Sequence, residues 1–324
     1  MSKPVKIDLI AGFLGAGKTT FLNKLLKEAY FGEKIALLEN EFGEIPLDGT
    51  LLAGYGITIK EIANGCICCT LQGNFIDGIT ALMDTVHPDR IVIEPTGLAK
   101  LPDLCQACAL AGEKTPLQIN AIITVVDATM LPIFMEVGGE FFQKQIVDAK
   151  TVVLSHVQEM EAGASIDEVM AAIRALNPYA PIFAEEWSTL NSLAVLTAAE
   201  QCETLSPSAA AAEKAHHREH HHDHDHHHHH HHHHHHGDEA FASCSVVVKE
   251  RVSKTWLENF FHRLRGDQGG EIFRAKGLLH TEKGDVRFDD VYGKISSSPY
   301  DFSGDGFFVV IGKHLDNSYW QALS

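Results

Sequence analysis

The chain has 324 residues, of which 45% are hydrophobic and 21% are charged, and its 43 acidic and 26 basic side chains give a formal charge of −17 when every histidine is neutral. This apolar fraction can supply cores for about two domains, and it excludes a chain that is disordered throughout. No apolar stretch approaches the roughly 18 residues that span a bilayer, the start carries no signal-peptide pattern, and the acidic balance disfavours nucleic acid as a partner. We therefore expect a cytoplasmic protein that binds neither membranes nor nucleic acid.

Short β-branched runs alternate with longer amphipathic stretches over residues 6–184. Such alternation predicts an α/β fold with a mainly parallel sheet, helices on both faces and ligands at the carboxyl ends of the strands. The predicted strands are residues 6–11, 34–38, 90–93, 119–126, 151–154 and 181–184. The predicted helices between them include residues 19–29, 71–86 and 166–176.

A low-complexity tract follows this region. Residues 216–236 hold 17 of the 22 histidines, and we predict that they are disordered. Neutral imidazoles bind borderline metals in many overlapping modes, so a natural buffer for Zn²⁺, Ni²⁺ or Co²⁺ is a better interpretation than an inert spacer.

The residues after the tract form a third region with its own periodicity. The predicted strands here are residues 243–249, 286–291 and 306–311, and the predicted helices are residues 255–264 and a short C-terminal stretch. This pattern indicates a small α+β domain. Net charge changes in the same places, being −13 for residues 1–212, −4 for 213–239 and zero for 240–324. We predict one domain at residues 1–200, a linker rich in Ala and His at 201–240 and a second domain at 241–324.

The strongest motif lies between the first predicted strand and the first predicted helix. The sequence GFLGAGKT from Gly12 to Thr19 fits G-x-x-x-x-G-K-[ST], the phosphate loop of nucleotide-binding proteins, which makes the first domain a P-loop NTPase. Backbone N–H groups at the helix N-terminus would surround the β-phosphate, while Lys18 reaches the β and γ oxygens and Thr19 ligates Mg²⁺. The predicted nucleotide-binding residues of this loop are Gly12, Gly15, Ala16, Gly17, Lys18, Thr19 and Thr20.

Acidic residues follow two of the other predicted strands. Glu94 would lie near the magnesium-bound water, and the N–H of Gly97 would sense the γ-phosphate. Glu41 and Asp48 lie in the polar segment after the second strand, with Asp48 assigned to the nucleotide site. We assign Lys18, Glu94 and Glu41 to catalysis, although a solvated strand end or a helix cap is an equally good interpretation of any one acid.

Three of the seven cysteines fall within four residues. Cys66, Cys68 and Cys69 could present three thiolates to a soft or borderline ion such as Zn²⁺ and leave a fourth position open for exchange. A redox pair, or small buried hydrophobic residues, is the alternative for this motif. A second pair, Cys105 and Cys108, falls in a predicted helical stretch, where packing is the better interpretation.

Four segments together resemble the CobW family of P-loop GTPases, the metallochaperone relatives of UreG and HypB. They are GFLGAGKTT at 12–20, ENEFGE at 39–44, NGCICC at 64–69 and EPTGLA at 94–99, and RAKGLL at 274–279 resembles the C-terminal domain of the family. The resemblance implies hydrolysis of GTP with Mg²⁺, a Zn²⁺ or Co²⁺ ion bound by Cys66, Cys68 and Cys69, and delivery of that ion to a client metalloenzyme. It is also compatible with a homodimer.

The chain departs from the family after the strand at 151–154. Members of the family carry Asn-Lys-x-Asp here, in which the aspartate binds the guanine N1 and N2 edge, whereas this chain has Ser155-His156-Val157-Gln158. Loss of the charged acceptor would lower guanine preference by about one to two decades. The alternatives to a metallochaperone GTPase are therefore a metal store with weak nucleotide binding and a P-loop NTPase of relaxed base specificity.

Overall fold

A computed structural model describes most of the chain, and it divides into two compact units, Met1–Asp223 and His224–Ser324. We call them the N-terminal and C-terminal units and describe each by itself. The described residues are 4–39, 58–61, 72–97, 99–113, 115–160, 164–202, 241–266 and 268–324. The histidine tract and nearly all of the predicted linker lie outside these ranges.

Seven strands form the sheet of the N-terminal unit. They are β1 (Val5–Gly12), β2 (Ile35–Glu39), β3 (Thr58–Glu61), β4 (Arg90–Glu94), β5 (Leu117–Asp127), β6 (Thr151–Ser155) and β7 (Ile182–Phe183). Their order is β3-β2-β4-β1-β5-β6-β7, and all six pairings are parallel. The predicted α/β fold is confirmed, and the strand carrying the phosphate loop lies at the centre of the sheet.

Helices cover both faces of this sheet. They are α1 (Lys18–Glu28), α2 (Gln72–Val86), α3 (Leu101–Gly112), α4 (Leu131–Val137), α5 (Gly139–Val147), α6 (Ile166–Leu176) and α7 (Ser192–Gln201). Neighbouring residues of β1 point to opposite faces, so Ile10 packs in the core under α1 and α7, while Leu9 packs in the core under α2 and α3. None of the described helices is long and apolar enough to cross a membrane.

Helix α7 was not among the predicted elements. Asn191 caps it by accepting the N–H of Ala194 at 3.1 Å, and Val195 and Ala199 are fully buried in the core beside α1. Alanine is the best helix former, so this Ala-rich stretch before the predicted linker forms a helix once one face has a core to cover.

A buried polar cluster lies at the edge of the sheet opposite the phosphate loop. The Arg90 side chain donates to Glu33 at 2.6 and 2.9 Å, to Glu200 at 3.0 Å and also to Asp8. Asp8 accepts a further bond from the Tyr30 hydroxyl at 3.0 Å, and burial raises the pKa of this carboxyl. The cluster joins β1, β4 and α7 through one guanidinium group.

The described residues of the C-terminal unit form a five-stranded sheet and two helices. Its elements are β8 (Ala242–Val248), α8 (Lys254–Leu264), β9 (Glu271–Thr281), β10 (Gly284–Val291), β11 (Lys294–Pro299), β12 (Gly306–Lys313) and α9 (Asn317–Gln321). The strand order is β11-β10-β9-β12-β8 and every pairing is antiparallel. Phe260 of α8 and Trp320 of α9 are buried in its core. The predicted small α+β domain is confirmed, but β9 and β11 were missing from the predicted strands.

Candidate nucleotide-binding site

The phosphate loop connects β1 to α1 through backbone conformations that favour glycine. Gly12, Gly15 and Gly17 have φ angles of 147°, 72° and 92°, a region that residues with a side chain rarely adopt. Gly17 is the N-cap residue of α1, and as a glycine it has no side chain that could cap the first turn. The N-terminal N–H groups of α1 thus face the carboxyl edge of the sheet, where they can bind an anion.

Two glycines allow the loop to lie against the sheet. A Cβ atom at Gly12 would lie 2.4 Å from the carbonyl oxygen of Val125, and one at Gly97 would lie 2.7 Å from the backbone nitrogen of Leu14. Real Cβ atoms do not approach backbone atoms this closely, so both positions need glycine. Gly97 therefore contacts the phosphate loop directly, through Leu14.

The side chains of Lys18 and Thr19 both form hydrogen bonds within the protein. Lys18 is buried, and its Nζ donates to the carbonyl oxygen of Phe13 at 3.3 Å. The Thr19 hydroxyl donates to Oε1 of Glu94 at 2.7 Å, and Glu94 itself is 4% exposed. The structure thus joins Thr19 of the loop to Glu94, while Thr20, the last predicted residue of the loop, is exposed.

This set of groups fits a nucleotide with Mg²⁺. A hydroxyl and a carboxylate oxygen are ligands that Mg²⁺ prefers, and the Thr19 and Glu94 oxygens lie 2.7 Å apart. The ammonium group of Lys18 and the N-terminus of α1 add the positive charge that a polyphosphate requires. The cradle that the glycines leave open admits phosphate oxygens close to the backbone.

Two further residues support the loop and were not predicted from the sequence. The buried Gln145 side chain donates to the carbonyl oxygen of Gly97 at 3.1 Å. The Trp187 indole donates to the carbonyl oxygen of Leu154 at 2.8 Å, and its ring lies 3.1 Å from the position of a Cβ atom at Gly17. Both contacts join distant parts of the chain, so neither residue has a local signal in the sequence.

The segment after β6 lies beside the loop. His156 has a φ angle of 55°, and its Nδ1 lies 3.1 Å from Oε1 of Glu159 while its Nε2 lies 3.9 Å from Oδ2 of Asp127. Oδ1 of Asp127 accepts bonds from the N–H and the hydroxyl of Thr129 at 2.8 and 2.7 Å. Asp127 therefore orders the turn after β5.

Comparison with known proteins identifies the family of this chain. The profile described as CobW/HypB/UreG, nucleotide-binding domain, matches residues 6–184, which is more than half of the chain. The chain belongs to this family. Its relatives include the zinc chaperone YeiR of Escherichia coli K12, 36% identical over 148 residues, which are 46% of this chain and 45% of YeiR. The zinc chaperone CobW of Sinorhizobium sp. is 40% identical over 131 residues, covering 38% of this chain and 37% of the relative.

The matched regions span less than half the length of these curated relatives. Among solved structures, the Zn(II)-bound YjiA GTPase from E. coli aligns with 99% of this chain and 98% of its own, at 21% identity and a TM-score of 0.48. The family membership rests on the match to its nucleotide-binding domain, which includes the phosphate loop, Glu94 and the end of β6.

The other predicted site residues of this CobW-family chain lie outside the described residues. They are Glu41, Asp48, Cys66, Cys68 and Cys69. No group of three or more His, Cys, Asp or Glu side chains in the described ranges is arranged to hold a metal ion. The cysteine motif lies between the end of β3 at Glu61 and the start of α2 at Gln72.

The register of the sheet positions the start of the cysteine segment. Glu61 pairs with Glu39, and Glu39 pairs with Glu94, so the last residues of β3, β2 and β4 lie side by side. Adjacent strands are about 4.8 Å apart, which puts the Cα atom of Glu61 roughly 10 Å from that of Glu94. Strand β3, which precedes the cysteine motif in the sequence, thus ends on the same side of the sheet as β4 with Glu94.

The second cysteine pair is part of the core. Cys105 and Cys108 of α3 are buried among apolar side chains, as predicted. Burial raises the pKa of Cys105 to about 12 and that of Cys108 well above its usual range. Thiols with such a pKa are poor metal ligands and poor nucleophiles, because both roles require the thiolate.

Proposed function

We propose that the chain is a GTP-hydrolysing metallochaperone that binds Zn²⁺, or Co²⁺, as cargo through Cys66, Cys68 and Cys69 and delivers the ion to a client metalloenzyme. The observation that carries this proposal is the hydrogen bond between Thr19 and Glu94 at the base of a phosphate loop. This bond joins the phosphate loop to the end of β4, which lies in register with the end of β3, the strand that precedes the cysteine motif.

The hydrolytic half of the proposal follows from the loop. Lys18 and the N–H groups of α1 would hold the β and γ phosphates, and Thr19 with Glu94 would hold the magnesium ion and its water. Bound Mg²⁺ would neutralise developing charge on the phosphate oxygens. Catalysis would consist mainly of positioning, with Glu94 or Glu41 orienting the attacking water.

The metal half rests on the order of the strands. Residues 40–57 connect β2 to β3, and residues 62–71 connect β3 to α2. We propose that the acidic segment at 39–48, which includes Glu41 and Asp48, changes conformation with the γ-phosphate and alters the geometry of the three thiolates. Relatives that carry the name zinc chaperone support Zn²⁺ as the cargo.

The histidine tract would supply this site with metal. We place the tract in a linker at 201–240 between an NTPase domain at 1–200 and a C-terminal domain at 241–324. Its 17 imidazoles would raise the local concentration of Zn²⁺ near the cysteine site.

Two variants of the purified protein test the assignment. Cys68→Ser should lower Zn²⁺ affinity by at least about tenfold and abolish stimulation of hydrolysis by Zn²⁺, because a hydroxyl is a poor ligand for this ion. Lys18→Ala should abolish hydrolysis and leave Zn²⁺ affinity unchanged. Cys202→Ser, the same substitution outside the motif, is the control. Full Zn²⁺ affinity and metal-stimulated hydrolysis in Cys68→Ser would contradict the metal site.

A metal store with weak nucleotide binding is the second candidate, and the altered segment Ser155-His156-Val157-Gln158 favours it. Deletion of residues 216–236 separates the two functions. A metallochaperone should keep one high-affinity Zn²⁺ site and its hydrolysis after the deletion, whereas a store should lose most of its capacity. Equilibrium dialysis with Zn²⁺ and a phosphate-release assay measure the two properties on the same sample.

A further inference from the structure

The structure indicates where the base of a bound nucleotide would lie, provided that the proposed nucleotide site is correct. Strand β1 has β4 on one side, with Glu94 at its end, and β5 and β6 on the other. A Cβ atom at Gly17 would lie 3.8 Å from Cβ of Ser155, the last residue of β6. With phosphates in the loop and Mg²⁺ at Thr19 and Glu94, a base on the side of the loop away from β4 would lie at the segment 155–159.

The chemistry of this segment does not match the guanine edge. Guanine presents two adjacent donors, N1–H and N2–H₂, which a carboxylate accepts as a pair. Adenine presents one donor and one acceptor, which a side-chain amide matches as a pair. Gln158, on the turn after β6, is exposed and offers one amide oxygen and one NH₂ group.

One oxygen of each nearby carboxylate, Asp127 on β5 and Glu159 in this segment, already has a partner. Oδ1 of Asp127 accepts a bond from the backbone N–H of Thr129 at 2.8 Å and another from the backbone N–H of Met130 at 3.2 Å. Oε1 of Glu159 lies 3.1 Å from Nδ1 of His156. The contact of Nδ1 with Glu159 orients the flat imidazole. An aromatic ring stacks on any base because every base has a π-face.

We infer that His156 and Gln158 form a base site without guanine selectivity, which accepts adenine nucleoside triphosphates at least as well as guanine nucleoside triphosphates. His156 supplies stacking and Gln158 supplies an amide that matches adenine fully and guanine in one of its two donors. Gln158 is thus the residue that sets base specificity.

Binding of non-hydrolysable ATP and GTP analogues to the full chain, measured by calorimetry with Mg²⁺, tests this inference. The wild type should bind the ATP analogue at least as tightly as the GTP analogue. Gln158→Asp should shift the ratio towards GTP by about ten- to a hundredfold, because the carboxylate accepts both guanine donors. Gln201→Asp makes the same charge change at an exposed residue of α7 and should leave the ratio unchanged.

Two further variants extend the test. His156→Asn removes the ring while tolerating the positive φ, and it should weaken both nucleotides by the same factor. A wild-type preference for GTP of tenfold or more would overturn the inference, and its loss in Glu159→Gln would then identify Glu159 as the guanine acceptor. If neither nucleotide binds, both the proposed function and the base site are wrong. If nucleotides bind but GTP is preferred by tenfold or more, only the base site is wrong.

Discussion

The hydroxyl group of Thr19 links the phosphate loop to β4. The role of this side chain can be tested by substitution. Thr19→Ala removes both the bond to Glu94 and the proposed Mg²⁺ ligand. We expect nucleotide affinity in the presence of Mg²⁺ to fall by about tenfold or more, while Thr19→Ser, which keeps the hydroxyl, stays within about threefold. Titration of nucleotide with and without Mg²⁺ provides the measurement. Equal Mg²⁺ dependence in Thr19→Ala and the wild type would contradict the assignment.

Gly97 provides a second test at the residue scale. Gly97→Ala would place Cβ 2.7 Å from the backbone nitrogen of Leu14, so the phosphate loop has to move. We expect lower thermal stability and at least about a tenfold loss of nucleotide affinity. Gly112→Ala is the matched control, because its Cβ would meet only the Leu117 carbonyl oxygen at an ordinary 3.7 Å. Replacing that glycine should leave stability unchanged or raise it by up to about 1 kcal/mol. Unchanged nucleotide binding in Gly97→Ala would contradict the close packing.

At the scale of elements, the guanidinium of Arg90 connects β4 with β1 and α7. Arg90→Met would leave the buried Asp8 carboxylate without its cationic partner, which costs about 3–5 kcal/mol of unfolding free energy. Lys6→Met removes a partly exposed ion pair with Glu200 and should cost at most about 1 kcal/mol. Urea denaturation of both variants measures the difference. Equal losses would show that the cluster does not join these elements as described.

The connection between β11 and β12 is held by His280 of β9. Its Nε2 lies 2.9 Å from the Gly304 carbonyl oxygen, its Nδ1 lies 2.9 Å from Oδ1 of Asp285, and its ring stacks on Phe302 with 4.2 Å between centroids. Only the imidazolium can donate to both acceptors. The Gly304 carbonyl and then Asp285 raise the pKa of His280.

This arrangement predicts a pH dependence with a definite sign. Because the folded-state pKa of His280 is raised, its contribution to stability is fully present below about pH 6.5, the usual histidine pKa, and is lost as pH rises through the folded-state value. Unfolding free energy measured from pH 6 to 9 should fall more steeply for the wild type than for His280→Gln. The control His262→Gln, at an exposed position of α8, should keep the wild-type slope. Identical slopes in all three proteins would contradict the role of His280.

The sequence predicted the elements whose pattern is local. Buried β-branched runs such as β1 and β6 match their predicted bounds within one residue at each end, and so does α6. Strand β9 was missed because it carries Arg274 and Lys276 in its buried centre. Arg274 pairs with Asp289 on the neighbouring strand at 2.8 Å, a partner that no local pattern identifies.

The same distinction applies to the site. The phosphate loop could be predicted because its residues are consecutive, and Glu94 because it ends a buried strand. The bond between Thr19 and Glu94 spans 75 residues, and the support of Gly97 by Gln145 spans 48, so both depend on the order of strands in the sheet. Glutamine in an amphipathic helix is ordinary, which is why Gln145 gave no signal.

At the scale of the whole molecule, the proposed function is a coupling between two sites. The three thiolates and the γ-phosphate would be linked through the strand edge formed by Glu61, Glu39 and Glu94. Linkage requires that a nucleotide which changes metal affinity is itself bound with an affinity that metal changes by the same factor. Hydrolysis could release Zn²⁺ only if the triphosphate and diphosphate states bind the ion differently.

The most direct test of this coupling is Zn²⁺ affinity in two nucleotide states. Competition with a chromophoric chelator would be measured with a non-hydrolysable GTP analogue and with GDP, using the protein without residues 216–236 to remove background binding. We predict that Zn²⁺ affinity differs by about tenfold or more between the GTP-analogue and GDP states, and that Cys68→Ser shows no such difference. The same Zn²⁺ affinity with both nucleotides would contradict it.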